Sequence, residues 1–365
     1  MNGSLETFAP RWASPPGATL QDVLDERQMT FAQLATRLQV SPQVLDGLLS
    51  GATPITVGLA RRLAEAVGAT VEFWLVRDAQ YREDLRRVEC DKWTETLPIS
   101  QMVSMGWIAK PSDWKERITA CLNFFKLEDL REWDRRSEPI LHSAYFRSSA
   151  TGTKNLASVL AWMRQGEIVT SGQTLNPWRA DVFKEALQDV RRLTREKDPA
   201  KFIPRLTHIC NNSGVAFAVL KTPRHCPVSG VSTIVDESRP TIILSARHLS
   251  DDHLWFTFFH EAAHLLLHDA REPYIDDDDE LQGKSPDTAE REANSLAEQL
   301  LVTEKLGLQD KRTPSHREVI RAAQQLGIAP GIIVGQLQHH RRASYDALNG
   351  LKRRYKWVET SLEMA

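Results

Sequence analysis

The chain has 365 residues, of which 41% are hydrophobic, enough for two or three domains with apolar cores. Its formal net charge of -2 gives no overall signature of nucleic-acid binding, and its four scattered cysteines indicate a reducing compartment without structural disulfides. The first residues lack the basic start and apolar core of a signal peptide, and no apolar run is long enough to span a bilayer. We therefore predict a multidomain cytoplasmic protein with no membrane partner.

Five short helical patterns follow a Pro/Gly/Ser-rich lead, and the last contains Phe73-Trp74-Leu75. Thr30 and Gln33 form a capping-box pattern that opens the second helix, and Ser41-Pro42 opens the third. Two helices joined by a tight turn inside a bundle are the helix-turn-helix plan, in which the second helix of the pair enters the major groove of DNA. We call this third helix of the chain the reading helix.

The reading helix carries polar side chains but neither Arg nor Lys. Glutamine can pair with adenine, serine can pair with several bases, and arginines on neighbouring helices can meet phosphates. A bundle that serves only dimerisation or partner binding remains the alternative. The residues that we predict to lie at the DNA are Gln43, Asp46 and Ser50 in the reading helix, with Arg37, Arg61 and Arg62 around it.

This segment resembles the XRE family of DNA-binding domains, above all its HigA antitoxin branch, in which a Phe-Trp-Leu segment closes the domain. The resemblance rests on the pattern from Leu34 to Leu75. It implies a five-helix, lambda-repressor-like domain over residues 17–80 that binds operator or promoter DNA. Since domains of this kind usually pair, it also implies a homodimer.

Residues 81–204 carry little recognisable chemistry, and recurring apolar periodicity predicts a helical connector there. The period then changes, and β-branched runs bounded by Gly and Pro predict three strands of a small sheet. The runs are Val215–Lys221, Val228–Asp236 and Thr241–Ser245. Alternation in Val228–Val235 suggests an edge strand that could bind an extended peptide through backbone pairing.

A helical pattern that begins at Asp251 contains His260-Glu-Ala-Ala-His264, which fits H-E-x-x-H. Residues four apart on a helix lie about 6 Å apart along the axis and on one face, so both imidazoles can reach one zinc ion. Glu261 then lies where it can take a proton from metal-bound water. His268, two turns beyond His260, is predicted to lie outside the reach of the metal. A chance match stays open until a third ligand is found.

A second helical pattern follows an acidic, loop-like run at Ile275–Pro286. It places Glu290 and Asn294 four residues apart on one face. A carboxylate as third ligand, with an amide that holds a ligand histidine by hydrogen bonding, is a sensible metal environment. We predict Glu290 as the third ligand on this pairing, and Glu292 remains its competitor.

These two motifs, H-E-x-x-H followed by Glu290-Arg-Glu-Ala-Asn294, resemble the ImmA/IrrE family of zinc metallopeptidases. The resemblance runs from about Val215 to Trp357 and implies an α+β, zincin-like domain over residues 205–357. It also implies Zn²⁺ on the two histidines and the downstream glutamate, the motif glutamate as general base, and proteolysis of repressor-type proteins. Family members usually continue Leu-Leu-Met/Ile-Pro, whereas this chain reads Leu300-Leu-Val-Thr303, a departure that affects a helix terminus and leaves the ligands alone.

Two further helical patterns, Ser315–Gly327 and Ile328–Gln338, are predicted to cap the peptidase domain, as they do in ImmA/IrrE proteins of this long type. His339 is our candidate for stabilising the oxyanion, since a zinc peptidase needs a donor besides the metal. The basic run Lys352–Lys356 is predicted to be a solvated helix face.

Together these patterns and the two resemblances imply a multidomain, mainly α-helical prokaryotic transcription regulator that binds DNA and carries a zinc-dependent endopeptidase, which cleaves a repressor, an antitoxin partner or itself. Two alternatives remain open from the sequence. In one, the protein is a HigA-like antitoxin or repressor whose zinc domain is structural or sensory. In the other, it is only an interaction scaffold.

Overall fold

The computed structural model describes residues 12–135, 137, 153–236, 238–268, 274–277, 288–302 and 314–365, and the structural statements below concern these. The chain forms two compact units, one of residues up to 95 with 112–118, the other of residues 96–111 and 119–365. Helices dominate both, and the second unit also holds a small sheet, as predicted. No helix of the described residues has the length and apolar character needed to cross a membrane.

The first unit begins with a five-helix arrangement around a leucine-rich core. Thr30 and Gln33 form the predicted capping box, in which each side chain accepts a hydrogen bond from the other residue's backbone N–H. Ser41 Oγ accepts a hydrogen bond from Val44 N–H at the start of the third helix. The helices are α1 (Pro16–Glu26), α2 (Phe31–Leu38), α3 (Pro42–Leu49), α4 (Val57–Val67) and α5 (Val71–Thr96). Their core includes Leu20, Leu34, Leu38, Leu45, Leu48, Leu63 and Trp74.

Helix α5 is much longer than the segment around Phe73-Trp74-Leu75 suggested. It continues past residue 80, at which the first domain was predicted to end, and stops at Thr96. No Gly or Pro interrupts residues 71–96, and Pro98 restricts the backbone just after them. Arg82 and Asp78, one turn apart in the middle of the helix, form an ion pair with 2.9 Å between Nε and Oδ2, and this pair stabilises the helix.

The second unit surrounds a mixed sheet with helices. Its further helices along the chain, with α7 divided between the units, are α6 (Ile99–Ser104), α7 (Trp114–Phe125), α8 (Thr153–Ser171), α9 (Ala180–Leu193), α10 (Pro199–Asn212), α11 (Asp251–Leu267), α12 (Thr288–Leu301), α13 (His316–Leu326) and α14 (Pro330–His339). Residue 204, where the connector was predicted to end, lies inside α10. Phe183 of α9 and Phe202 of α10 share one apolar core with Trp255, Phe258 and Phe259 of α11, so these helices pack as part of the same unit.

The sheet has the strand order β1-β3-β2-β4, with β1 (Ala216–Val219), β2 (Val228–Val235), β3 (Arg239–Leu244) and β4 (Tyr274–Asp277). Strand β1 runs parallel to β3, and β2 runs antiparallel to both β3 and β4. The three predicted strands are confirmed, but two expectations are wrong. Strand β2 is paired on both sides and buried for most of its length, so it cannot be the peptide-binding edge. The start of the run predicted as a loop forms β4 instead, because its backbone pairs with β2.

The C-terminal basic run is also not a solvated helix face. After a short 3-10 turn at Asn349–Leu351, the chain becomes extended and forms the hairpin β5 (Tyr355–Val358) and β6 (Ser361–Met364). Lys352 is buried, with Nζ 2.5 Å from Asp252 Oδ2. Arg353 Nη1 donates hydrogen bonds to the carbonyls of Thr194 and Glu196, each at 2.9 Å. The charges of Lys352 and Arg353 are therefore used inside the unit, whereas Arg354 and Lys356 are exposed.

Asp251, in the first turn of α11, is fully buried and accepts a hydrogen bond from the backbone N–H of Arg353 at 3.0 Å. Burial raises the pKa of its carboxyl from 3.8 to about 6. Between about pH 4 and 6 the folded chain therefore keeps a proton that the unfolded chain has lost, so this group's contribution to stability falls as pH rises through that window.

We expect Asp251→Asn to abolish the loss of stability that the Asp251 carboxyl causes as the pH rises. The Tm of the variant is therefore expected to rise relative to that of the parent chain as the pH goes from about 4 to about 7. The gain should be several degrees, since a pKa shift of two units corresponds to about 3 kcal/mol at most. Thermal unfolding at both pH values measures this difference. The exposed Asp189→Asn on α9 is the matched control and should show none. Equal differences at the two pH values would contradict the assignment.

Candidate metal centre

Helix α11 presents two histidines to one buried point. Its first turn is acidic, which suits the positive end of the helix dipole, and its apolar residues fill the core. His260 and His264, one turn apart, are 3% and 1% exposed, and their Nε2 atoms lie 3.0 Å apart. The predicted convergence of the two imidazoles is thus present in the structure.

Helix α12 brings a carboxylate to the same point. Glu290 places Oε2 3.2 Å from His260 Nε2 and Oε1 3.5 Å from His264 Nε2. The buried Ala293 and Ala297 give α12 small side chains in the core beside α11. Glu292, its competitor in the sequence, instead lies 3.1 Å from His268 Nε2. The geometry therefore groups Glu290 with the two imidazoles.

A hydrogen bond fixes the orientation of one imidazole. His260 Nδ1 lies 2.9 Å from Asn294 Oδ1, an atom that can only accept, so Nδ1 carries the proton. In the neutral ring, Nε2 then directs a lone pair at the Glu290 carboxylate. Two acceptors that face each other across 3.2 Å repel unless a cation lies between them. This arrangement is what a metal-binding site requires.

The distances among the three ligand atoms also fit one ion. At metal–ligand distances of about 2.1 Å, two corners of a tetrahedral site lie about 3.4 Å apart. The separations of 3.0, 3.2 and 3.5 Å agree with that spacing. His260, His264 and Glu290 could therefore hold a metal ion and leave the fourth position open for water or substrate.

The charge states of the group suit metal binding. Burial lowers the pKa of His264 to about 4, so its ring is neutral near pH 7. Burial opposes the ionisation of Glu290, but interaction with the protonated forms of the two imidazoles outweighs it and holds the pKa of that carboxyl below its usual range. A bound cation would act in the same direction. Neutral imidazoles and an ionised carboxylate are the forms that bind a metal.

Glu261, the remaining residue of the motif, is held by the sheet. It is fully buried, and its Oε2 accepts a hydrogen bond from Ser232 Oγ of β2 at 2.6 Å. Gly230 of the same strand lies so near that an added Cβ would stand 2.8 Å from Glu261 Oε1 and 2.6 Å from Thr257 Cγ2. Small residues at these positions let the strand approach the helix. Sequence reasoning missed both, although Ser-Gly-Val-Ser in a β-branched run was the available signal.

If the site cleaves peptides, Ser232→Ala is expected to lower the turnover number about tenfold with little change in KM. The hydroxyl holds a buried carboxylate, and without it the Glu261 side chain loses its fixed direction. Steady-state kinetics on the cleaved substrate test this. Ser245→Ala is the matched control, since it removes another buried hydroxyl, bonded to the carbonyl of Ser229, without touching Glu261. Equal losses in the two variants would contradict a specific role for Ser232.

His339, the predicted oxyanion donor, belongs to a different group of side chains. One of its ring nitrogens clusters with a carboxylate oxygen of Glu298 and a ring nitrogen of His340, in a group separate from the first. It lines a cavity of about 350 Å³ together with Phe256, whose ring centroid lies 6.2 Å from that of His260. A role at the oxyanion therefore stays a prediction.

The residues predicted to meet DNA lie on the surface around α3. Gln43 and Asp46 are exposed on this helix, Ser50 is exposed at its end, and its buried leucines face the core. Gln39 adopts a left-handed conformation, with φ of 52°, in the short turn between α2 and α3. The arginines predicted to meet phosphates lie outside α3, two of them exposed and the third half-buried: Arg37, Arg61 and Arg62.

Comparisons with known proteins gave a match to a peptidase family and a likeness to a transcription regulator. Residues 224–337 match the model of a peptidase family described as the IrrE N-terminal-like domain. A 60-residue stretch is 28% identical to the uncharacterized HTH-type transcriptional regulator YddM of Escherichia coli (strain K12). That stretch is 16% of this chain and covers 64% of the relative, so the chain spans less than two thirds of that protein. The predicted resemblance to the IrrE type is confirmed for the matched segment.

Proposed function

We propose that this chain, with its IrrE N-terminal-like segment, is a DNA-binding transcription regulator that carries a zinc-dependent endopeptidase. Its substrate is a regulatory protein: a repressor, an antitoxin partner or the chain itself. The observation that carries the proposal is the convergence of His260, His264 and Glu290, with the fully buried Glu261 following His260 in the same helix. Two imidazoles, one carboxylate and an open position are the ligand set of catalytic rather than structural zinc sites.

The metal that suits this donor set is Zn²⁺, held by His260, His264 and Glu290. When bound, it would lower the pKa of a water molecule and polarise the carbonyl of the scissile peptide bond. Asn294 keeps the Nδ1 proton of His260 in place, so that the ring offers Nε2 as the ligand atom.

Glu261 is the general base of the proposed reaction. Its carboxylate accepts the proton of the attacking water and then delivers that proton to the leaving amine. The hydrogen bond from Ser232 Oγ fixes the direction of the carboxylate for proton transfer. Because the side chain is fully buried, bulk water does not compete for it.

The direct test is to incubate the purified protein with each of the proteins encoded beside its gene, with and without a chelator. We expect fragments that appear only with zinc present, and their termini, read by mass spectrometry, would identify the cleaved bond. Incubation of the chain alone under the same conditions tests self-cleavage. Fragments that persist after metal removal would point to a contaminating protease and count against the proposal.

We further propose that residues 17–80 bind operator or promoter DNA as a homodimer, with α3 in the major groove. This is supported by the exposed Gln43, Asp46 and Ser50 on α3 and by the likeness to an HTH-type regulator. An electrophoretic shift with the protein's own promoter should show binding that weakens with salt. Arg61→Ala should reduce the slope of log affinity against log salt by about one unit. No retardation at low salt would contradict DNA binding.

A further inference from the structure

A second group of metal-ligating side chains lies near the other end of α12. Glu298 and the two consecutive histidines His339 and His340 each place one ligand atom within 4.8 Å of the others. His340 Nε2 lies 3.2 Å from Glu298 Oε1. The two histidines are exposed and Glu298 is half-buried, so an ion can enter from solvent. Glu298 follows Glu290 by eight residues, which places it about 12 Å further along the same helix.

The two adjacent histidines lie where α14 ends. Neighbouring residues on a regular helix point about 100° apart. Here the helix ends at His339, His340 is its cap, and Arg341 turns the chain with φ of 56°. The two rings lie with their centroids 5.2 Å apart.

The backbone that carries these histidines is held independently of any ion. Gln338, which precedes them, is 2% exposed, and its Nε2 donates to the carbonyl oxygens of Ala347 at 2.9 Å and Tyr345 at 3.3 Å. Its Oε1 accepts a hydrogen bond from Lys352 Nζ at 2.6 Å. On the other helix, Glu298 lies beside the buried Ala297. Because these contacts already order the backbone, less conformational entropy is lost when the histidines bind an ion.

We propose that Glu298, His339 and His340 form a second metal site, for a divalent first-row transition ion such as Zn²⁺. Two imidazoles and a carboxylate are borderline donors that suit zinc and its neighbours rather than Ca²⁺ or Mg²⁺. Because its ligands are exposed and still hydrated, this site binds more weakly than the buried group on α11. The chain then takes up two equivalents of metal, the second at higher free concentration.

The test is a titration of the metal-free chain with Zn²⁺ against a chromophoric chelator. We expect two equivalents for the parent chain. In His340→Ala and in Glu298→Gln the affinity for the second equivalent should fall about tenfold or more, while the first equivalent stays unchanged. His316→Ala, which removes another exposed histidine at the start of α13, is the matched control and should keep both. All three variants change residues outside the apolar core, so we expect them to fold like the parent chain. Circular dichroism spectra check this.

Two outcomes would overturn the proposal. One is a single equivalent in the parent chain that both His340→Ala and Glu298→Gln retain, measured up to the free zinc concentrations at which pairs of surface histidines bind. The other is a second equivalent that survives in both His340→Ala and Glu298→Gln, which would place it elsewhere on the surface. In either case Glu298 and His340 form an ion pair only.

Discussion

Replacement of Glu261 by Gln is expected to reduce peptide cleavage by about 10²–10⁴-fold while the chain still binds one equivalent of zinc in its buried group. The amide has the size of the carboxylate and can still accept the hydrogen bond from Ser232 Oγ, but it cannot take a proton from water. Cleavage is measured by fragment formation, and zinc by metal analysis after gel filtration. A loss of activity with metal retained would assign proton transfer to this residue.

Glu292→Gln is the matched control, because it removes a carboxylate that contacts His268 and lies outside the buried group. Full activity in Glu261→Gln would contradict the proposed general base. The same variant also addresses the alternative of an antitoxin-like repressor. If its control of the promoter is unchanged in cells and no protein accumulates uncleaved, the zinc domain has a structural or sensory role. If repression becomes permanent, proteolysis is the switch.

The features that could be predicted from the sequence are those encoded within one helix or one cap. The spacing of His260 and His264 fixes their common face, and Glu290 with Asn294 does the same on α12. Capping at Thr30 and Ser41 is equally local, since each side chain bonds a backbone N–H three residues away. For these features, the number of residues between two side chains is enough to fix their relative positions in the helix.

What the sequence did not reveal depends on contacts between distant segments. Ser232 meets Glu261 across 29 residues, and only the approach of β2 to α11 brings the two together. The alternation in β2 suggested an edge, yet β4 supplies its second neighbour from a run whose acidic composition resembled a loop. Lys352 forms a buried ion pair with Asp252, a hundred residues earlier in the chain, although its basic sequence had suggested a surface position. Periodicity carries no information on such pairings.

The third ligand is the point at which sequence left two candidates and the structure favours one. We expect Glu290→Gln to weaken binding of the first zinc equivalent at least about a hundredfold, since even changes to residues behind the ligands cost 10–100-fold. The amide is neutral and a poorer donor, so the two imidazoles would hold the ion almost alone. Competition with a chelating indicator measures the affinity, and the Tm gained on adding zinc should shrink in parallel.

Glu292→Gln, two residues along the same helix, is again the matched variant. Its carboxylate lies 3.1 Å from His268 Nε2, and His268 Nδ1 in turn lies 3.0 Å from His264 Nδ1. It therefore acts only through two intervening rings, and we expect zinc affinity to change a few-fold at most. If Glu292→Gln lost the ion while Glu290→Gln kept it, the ligand assignment would be reversed. If both kept it at parental affinity, the buried group would not be a metal centre, and the proposed peptidase would have no metal to act with.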